Sequence, residues 1–461
     1  MTSENSRREF LKRASALSAT GVAAPWALNL AAIGEAAAQA APTDYKALVC
    51  VFLYGGNDHG NTLVPYDQGT YNTYASLRAG LATDRALLAP TLLAPATALP
   101  NARQYALSPA LSALKPMFDA GRMGVLLNVG SLIQPTTQAQ YTARSVPLPP
   151  KLFSHNDQQS VWQASNPEGA SSGWGGRMGD LFAAGNSQAT FTAVSVSGNA
   201  VYLSGKNTAQ YQLSSSGSVA INGIGNSLYG SSAAAQTLRE FITSSTSSNN
   251  LEREYARVVQ RSIDANVSFT GALGGTPGLN TVFPSTGLAA QLKMVARMIS
   301  ARTALGAKRQ VFFVSLGGFD HHDSLLDLHP VLLEQVGGAM AAFDKAMIEL
   351  GVSNQVTAFT ASDFGRTLAS NGDGSDHGWG SYHFVTGGAV NGGRFFGQAP
   401  ILGTNSPDDV GQGRMLPTMA VDQLAATLAT WMGVSPSNLA DVVPNIKSYN
   451  TKNLGLFRAG V

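Results

Sequence analysis

Gln310–Leu316, Q-V-F-F-V-S-L, followed by Gly317-Gly318-Phe319-Asp320-His321-His322, is the stretch on which the fold turns. Its apolar residues run on without a clean two-residue alternation, as expected of a strand covered on both faces. The glycine pair ends the strand, and acidic and imidazole groups follow at once. Working outward, His329–Leu350 has the length and spacing of a long helix. Gln355–Thr360 is the next strand, and Ala361-Ser362-Asp363-Phe364-Gly365-Arg366-Thr367 leaves it. After Gly374-Ser375-Asp376-His377-Gly378-Trp379-Gly380 comes a further strand, Tyr382–Thr386. Far upstream the same pattern appears: Lys46–Tyr54, K-A-L-V-C-V-F-L-Y, runs into Gly55-Gly56-Asn57-Asp58-His59-Gly60. Strand alternating with helix predicts a doubly wound, mostly parallel α/β sheet with helices on both faces.

The segments between are consistent with that frame. Leu107–Ala120 has helical spacing, and Met123–Val129 reads as a second buried strand. Phe153-Ser154-His155-Asn156-Asp157-Gln158-Gln159 reads as a loop entering a helix, with Ser154 at the N-cap or in the first turn. From about 190 to 250 the chain becomes rich in Ser and Gly, and an irregular insertion with a strand near Phe191–Val196 and a loop at Ser244–Asn250 is expected. Leu251–Val267 and Gly287–Leu305 read as amphipathic helices. There is no internal repeat and no heptad pattern.

Composition narrows the function. Of 461 residues, 30 are Lys or Arg and 28 are Asp or Glu, a net charge of +2 with 13% charged residues. That balance, with no basic stripe, excludes a nucleic-acid-binding surface spread over the protein. The single cysteine, Cys50, excludes an internal disulfide framework and any multi-thiolate zinc or iron–sulfur site. The 44% hydrophobic content supplies a large core.

The first 40 residues read as an address. Ser6-Arg7-Arg8-Glu9-Phe10-Leu11-Lys12, an Ala-rich stretch from Ala14 to Ala32, and Ala38-Gln39-Ala40 together resemble a twin-arginine export signal. The expectation is that residues 1–40 are removed and 41–461 form one exported domain, periplasmic or secreted, with the twin-arginine export machinery as a partner. The apolar stretch falls short of the roughly 20 residues of a stable membrane span, and no later segment is long enough. That route carries folded cargo, which favours a cofactor or metal loaded before export.

Chemistry gathers at the strand ends. The seven histidines are 59, 155, 321, 322, 329, 377 and 383, and carboxylates accompany four of them: Asp58, Asp157, Asp320 and Asp376. In an open α/β sheet such loops converge on one crevice. Any single pair is accounted for by capping a helix or bracing a turn, whereas four pairs at strand ends point to a site for a divalent metal, Zn, Mn, Mg or Ca. Ser154 is the candidate nucleophile, in the field of a helix N-terminus, with Asn61 and Thr62 as competitors and an ordinary cap as the simpler role. Arg366 is a candidate clamp for an anionic oxygen, and an ion-paired arginine is its plainer reading. Trp174, Trp379 and Tyr382 read as packing residues. No Gly-x-Gly-x-x-Gly loop follows a strand, and neither a Walker loop nor a Gly-x-Ser-x-Gly elbow is present, which sets aside kinases, P-loop ATPases and ordinary α/β-hydrolases.

The motifs F-L-Y-G-G-N-D-H-G-N-T (52–62), L-F-S-H-N-D-Q-Q (152–159), G-W-G-G-R (173–177), G-G-F-D-H-H (317–322), S-D-F-G-R-T (362–367) and D-H-G-W-G (376–380) resemble those of the domain of unknown function 1501 family, across nearly the whole chain after the export signal. That family looks like a distant branch of the alkaline phosphatase/sulfatase superfamily. The resemblance implies metal ligands at strand ends and a nucleophile at a helix start. It matches Asp58 to the first-strand metal carboxylate, Ser154 to the nucleophile and Asp320 to the third-motif aspartate, with His321 or His322 as companion. It further matches Asp363 to the aspartate of an Asp-His-Gly pair and His377 to the late histidine. Two departures stand out. Ser324 occupies a position where a histidine is common, and Phe364 follows Asp363 where histidine is expected, so one imidazole ligand is lost or supplied elsewhere. With Cys50 inside a strand, a formylglycine-type sulfatase does not fit.

Two functions follow as expectations. One is an exported metal-dependent hydrolase acting on phosphate or sulfate esters of an anionic small molecule or polymer. The other is a catalytically degenerate binding or assembly protein of the cell envelope. The first requires Asp58, Asp320, Asp363 and His377 to approach within roughly 4–6 Å of one another.

Overall fold

A computed structural model describes residues 44–460, so the expected export signal at 1–40 lies outside the described residues. The strands are β1 (Lys46–Leu53), β2 (Leu63–Pro65), β3 (Tyr105–Leu107), β4 (Met123–Gly130), β5 (Ala193–Ser195), β6 (Tyr211–Gln212) and β7 (Arg309–Leu316). They continue with β8 (Val356–Ser362), β9 (Arg366–Ser370), β10 (Ser375–His377), β11 (Ser381–Thr386), β12 (Arg394–Phe396) and β13 (Met419–Ala420).

β1 shows why the apolar runs do not alternate. Ala47, Val49, Val51 and Leu53 enter one core, and Leu48, Cys50 and Phe52 enter the other. Each face is covered by helices. Gly287–Ser300 and Leu325–Glu349 supply Leu292, Val295, Val336 and Met340 to the first core. Trp174–Phe182 and Val421–Met432 supply Met178, Phe182, Leu424 and Leu428 to the second. The sheet order is β12-β4-β11-β8-β1-β7-β5-β6, with β13 beside β4. β11 runs antiparallel to both neighbours, and the other pairings are parallel. The doubly wound, mostly parallel α/β architecture is thus observed.

Several local readings change. Leu107–Ala120 is the end of β3, a 3₁₀ turn over Pro109–Leu114 and a short helix over Lys115–Asp119, because Pro109 and Pro116 both restart the chain. The 190–250 segment contains a helix, Ser232–Thr243, capped by Ser231. The long helix begins at Leu325 rather than His329, with Pro330 in its second turn. Among the described residues no helix is long and apolar enough to cross a membrane.

The register of the central strands places the site. Leu53 of β1 lies opposite Leu316 of β7 and Ser362 of β8, so three adjacent parallel strands end at one level. The loops beginning at Tyr54, Gly317 and Asp363 therefore leave the sheet side by side. Gly55, at φ 114°, lets the first loop cross the second: a Cβ there would lie 2.5 Å from the Asp320 nitrogen.

Candidate metal centre

Three elements meet above the ends of β1, β7 and β8. The loop after β7 brings Asp320 and His322. The hairpin β9–β10, in which Arg366 lies opposite His377, folds over the sheet edge. Trp379 anchors it, its indole N–H donating to the Ser131 carbonyl at 2.7 Å. The helix His155–Ala164 brings His155 as its first residue.

His155, Asp320 and His377 offer ligand atoms that all lie within 4.8 Å of one another. The His155 Nε2 is 3.0 Å from the His377 Nε2 and 3.3 Å from Asp320 Oδ2. The His377 Nε2 is 3.2 Å from Asp320 Oδ1 and 2.9 Å from the His322 Nε2. His322 Nε2 is in turn 3.1 Å from Asp320 Oδ1.

The hydrogen bonds on the far side of each ring decide what these nitrogens carry. The His155 Nδ1–H donates to Asp363 Oδ2 at 2.7 Å, and the His377 Nδ1–H to the Phe153 carbonyl at 2.7 Å. The His322 Nδ1–H faces Asp376 Oδ1 at 3.3 Å. All three partners are acceptors, so in the neutral rings each Nε2 presents a lone pair. Three lone pairs and a carboxylate aimed at one region repel unless a cation or an added proton sits among them. This carboxylate–imidazole arrangement is how metal-bound histidines are oriented. Asp363 Oδ1 points the same way: it is buried without a partner, while Oδ2 takes bonds from His155, Gln159 and the Gly55 amide. The donors present fit a divalent cation.

The neighbouring charges and burial move these groups in different directions. His155 is held above its ordinary pKa, first by its bond to Asp363 and against partial burial. Burial pushes His377 down. Asp320 is lowered although its burial opposes this, because the Arg366 guanidinium bonds to it and the imidazoles lie close.

Of the residues expected in the site, Asp320, His322 and His377 come together, and Asp363 supports His155 from behind. Asp58 does not join them. It lies fully buried, with oxygens 2.6 and 3.1 Å from the Arg78 guanidinium, and that cation takes the place a metal was expected to fill. His321 is also displaced, because consecutive side chains diverge. His322 faces the cluster, while His321 is turned inward beside Phe319 and His329, with both ring nitrogens unpartnered.

Arg366 is not open to clamp a substrate. Its buried guanidinium is taken up by Asp320 Oδ1 at 2.6 Å, by the Gly55 carbonyl at 3.2 Å and by the Ser375 carbonyl. It acts as a positioning residue for Asp320. Ser154 occupies the N-cap position of its helix, yet its hydroxyl donates to Asp157 Oδ2 at 3.0 Å rather than capping a backbone amide.

His155 was singled out in the sequence only as a histidine near Asp157 and was not assigned as a ligand, because its neighbour Ser154 drew the functional reading of that motif. It supplies the imidazole absent at 364, and Phe364 packs its ring against both His155 and His377, with centroids 4.9 and 4.7 Å away. Ser324, the other departure, ends a turn at φ 48°, and its amide donates to Asp373. A cavity of about 660 Å³ lies apart from this chemistry, lined by Leu132, Gln138, Leu416, Met419 and Tyr449 among others and by none of the cluster residues.

A family model described as a protein of unknown function (DUF1501) matches residues 45–443. The chain belongs to the DUF1501 family. Its match covers every strand and every residue of the cluster. No characterised relative matches the sequence. Among solved structures, the chain is similar to PsFucS1 sulfatase from Pseudoalteromonas sp., at 12% identity over 93% of this chain and 76% of that one, with a TM-score of 0.36. It is also similar to the lipoteichoic acid synthase LtaP from Listeria monocytogenes, at 8% identity over 86% of this chain and 74% of that one, with a TM-score of 0.33.

Proposed function

We propose that this DUF1501 protein is an exported, metal-dependent hydrolase of phosphate or sulfate esters. The observation that carries the reading is the convergence of three Nε2 lone pairs and the Asp320 carboxylate, each imidazole being held from behind by an acceptor. Imidazole-rich sets with one carboxylate suit Zn or Mn better than Mg or Ca. A cation held by His155, Asp320, His322 and His377 would neutralise charge developing on a transferred phosphoryl or sulfuryl group.

The chain's own groups supply the rest. Asp157 is the acceptor in place for the Ser154 hydroxyl proton at 3.0 Å, and Lys151 Nζ, 3.4 Å from the same carboxylate oxygen, balances its charge. Ser154 is then the nucleophile and Asp157 its base. Asp363 fixes the ring of His155, and Arg366 fixes Asp320.

The test is hydrolysis of aryl phosphates and aryl sulfates by metal-loaded protein. Loss of turnover in Ser154→Ala, with metal content intact, supports the role of Ser154, and unchanged turnover removes it. Export is tested with Arg7→Lys/Arg8→Lys, which should leave the protein unprocessed inside the cell. A second reading, a degenerate envelope protein that binds without turnover, is favoured by the 2.6 Å Arg366–Asp320 pair, which already satisfies part of the ligand set. Full metal binding with no activity on either ester class would select it.

A further inference from the structure

The helix Asn250–Gly274 carries one apolar stripe, and only half of it is covered. Leu251, Tyr255 and Val258 begin the stripe at i, i+4 and i+7, and Ala265, Phe269 and Leu273 continue it on the same face. The last three are buried in the core against the sheet. The first three overhang the body: Leu251 is 80% exposed, Tyr255 65% and Val258 49%. The neighbouring helix Ser232–Thr243 adds Phe241, also 80% exposed. Scattered apolar side chains on a surface need no explanation, but a continuous stripe left open along two turns of helix does.

One flank of this overhang carries ordered charge. Glu254 is acidic at its N-terminal end, and Arg257 and Arg261 are basic beyond it, with ion contacts of 3.6 and 3.0 Å to Glu254. The flank thus holds one carboxylate against two guanidinium groups, both within ion-pair reach of it in the same chain. An anionic membrane or an acidic partner would instead select unpaired arginines. A flank acidic at one end and basic at the other is complementary to itself when a second copy runs antiparallel.

We propose that the overhanging face of this helix is a two-fold interface with a second copy of this chain. With the axis near residue 257, Tyr255 of each copy packs against Val258 of the other. Glu254 of each copy then lies opposite Arg261 of the other. Such an isologous contact closes on itself as a dimer.

The experiment is sedimentation velocity on the full processed chain. The expected mass is twice that of one chain. Tyr255→Asp, at an exposed position and with its fold checked by circular dichroism, should return it to that of one chain. Glu254→Arg and Arg261→Glu should each weaken dimerisation by about tenfold or more, since each sets like charges opposite one another. Mixing those two variants in equal amounts should restore the dimer as a mixed species. The contact within each chain stays repulsive in the mixture, so recovery can come only from across the interface. Wild-type protein of single-chain mass at all concentrations overturns the proposal. So does a dimer indifferent to Tyr255→Asp, or a mixture that shows no recovery. Monomeric protein that floats with phosphatidylglycerol vesicles, and ceases to with Tyr255→Asp, would also overturn it and give the face to a membrane.

Discussion

Acidification should destabilise this protein steeply between pH 7 and pH 5, for a reason that lies beneath the candidate metal centre. His59, His329 and His383 are fully buried, and burial pushes them from an ordinary 6.5 to about 4, about 3 and about 3. Their polar contacts are sparse: the His59 and His383 Nε2 atoms have no partner, and the His329 Nε2 meets Asn57 Oδ1 at 2.9 Å. At pH 5 the unfolded chain protonates all three and the folded chain none. Protons are thus bound preferentially by the unfolded state, so stability is full above about pH 7 and falls as the pH drops through 6.5. One and a half pH units at about 1.4 kcal/mol each come to roughly 2 kcal/mol per histidine, or about 6 kcal/mol for three. Asp422 works the other way. Burial raises it to about 6, so acidification to pH 5 returns about 1 kcal/mol. His321 and His377, lowered by burial, add to the loss, and His155, raised by Asp363, opposes it. A net loss of about 5 kcal/mol is comparable to the whole stability of many domains. Urea unfolding at pH 7, 6 and 5 in chelator, with His383→Leu as a second sample, measures it. The wild type should lose about 5 kcal/mol at constant slope, and His383→Leu should remove about 2 kcal/mol of that dependence. A wild-type stability that is flat or rises on acidification would refute the reasoning.

Other consequences follow from the same geometry. Calorimetric titration of chelated protein with Zn or Mn should give one equivalent per chain, because Arg78 already neutralises Asp58; two equivalents would overturn the arrangement drawn here. Asp363→Asn should lower metal affinity by about 10–100-fold while the fold persists, as expected when the group orienting a metal-bound imidazole is changed. Arg78→Leu should cost about 3–5 kcal/mol in chemical unfolding by stranding the buried Asp58 carboxylate, with part regained in Asp58→Asn/Arg78→Leu. Gly176→Ala should destabilise by more than about 2 kcal/mol, since a methyl group there would overlap the Ser204 backbone, and full stability would refute that packing role for the G-W-G-G-R motif.

The architecture was largely legible in the residues. Apolar runs such as Val311–Val314 can only be satisfied by cover on two faces, and the strands they predict fall within a residue or two of those observed. That Asp320 and Asp363 lie side by side was also legible, because parallel strands ending level bring their trailing loops to one edge, whereas His377 is brought in by the hairpin β9–β10. Composition and motif order also set expectations, among them an export address in the first 40 residues.

What tertiary structure alone decided is which of these groups face one another. Adjacent residues on one turn, His321 and His322, point to opposite environments, and no local pattern distinguishes them. Asp58 left the site because a helix 20 residues away delivers Arg78 to it, a pairing set by how Gln68–Arg78 packs over β9. His155 entered because the helix it begins is docked across the sheet edge by Gln159 and Asp363. Strand identity is a matter of nearest neighbours and burial, which sequence encodes locally. The direction of a side chain at a loop or helix start depends on the packing of elements hundreds of residues apart, and it is set only when the chain closes on itself.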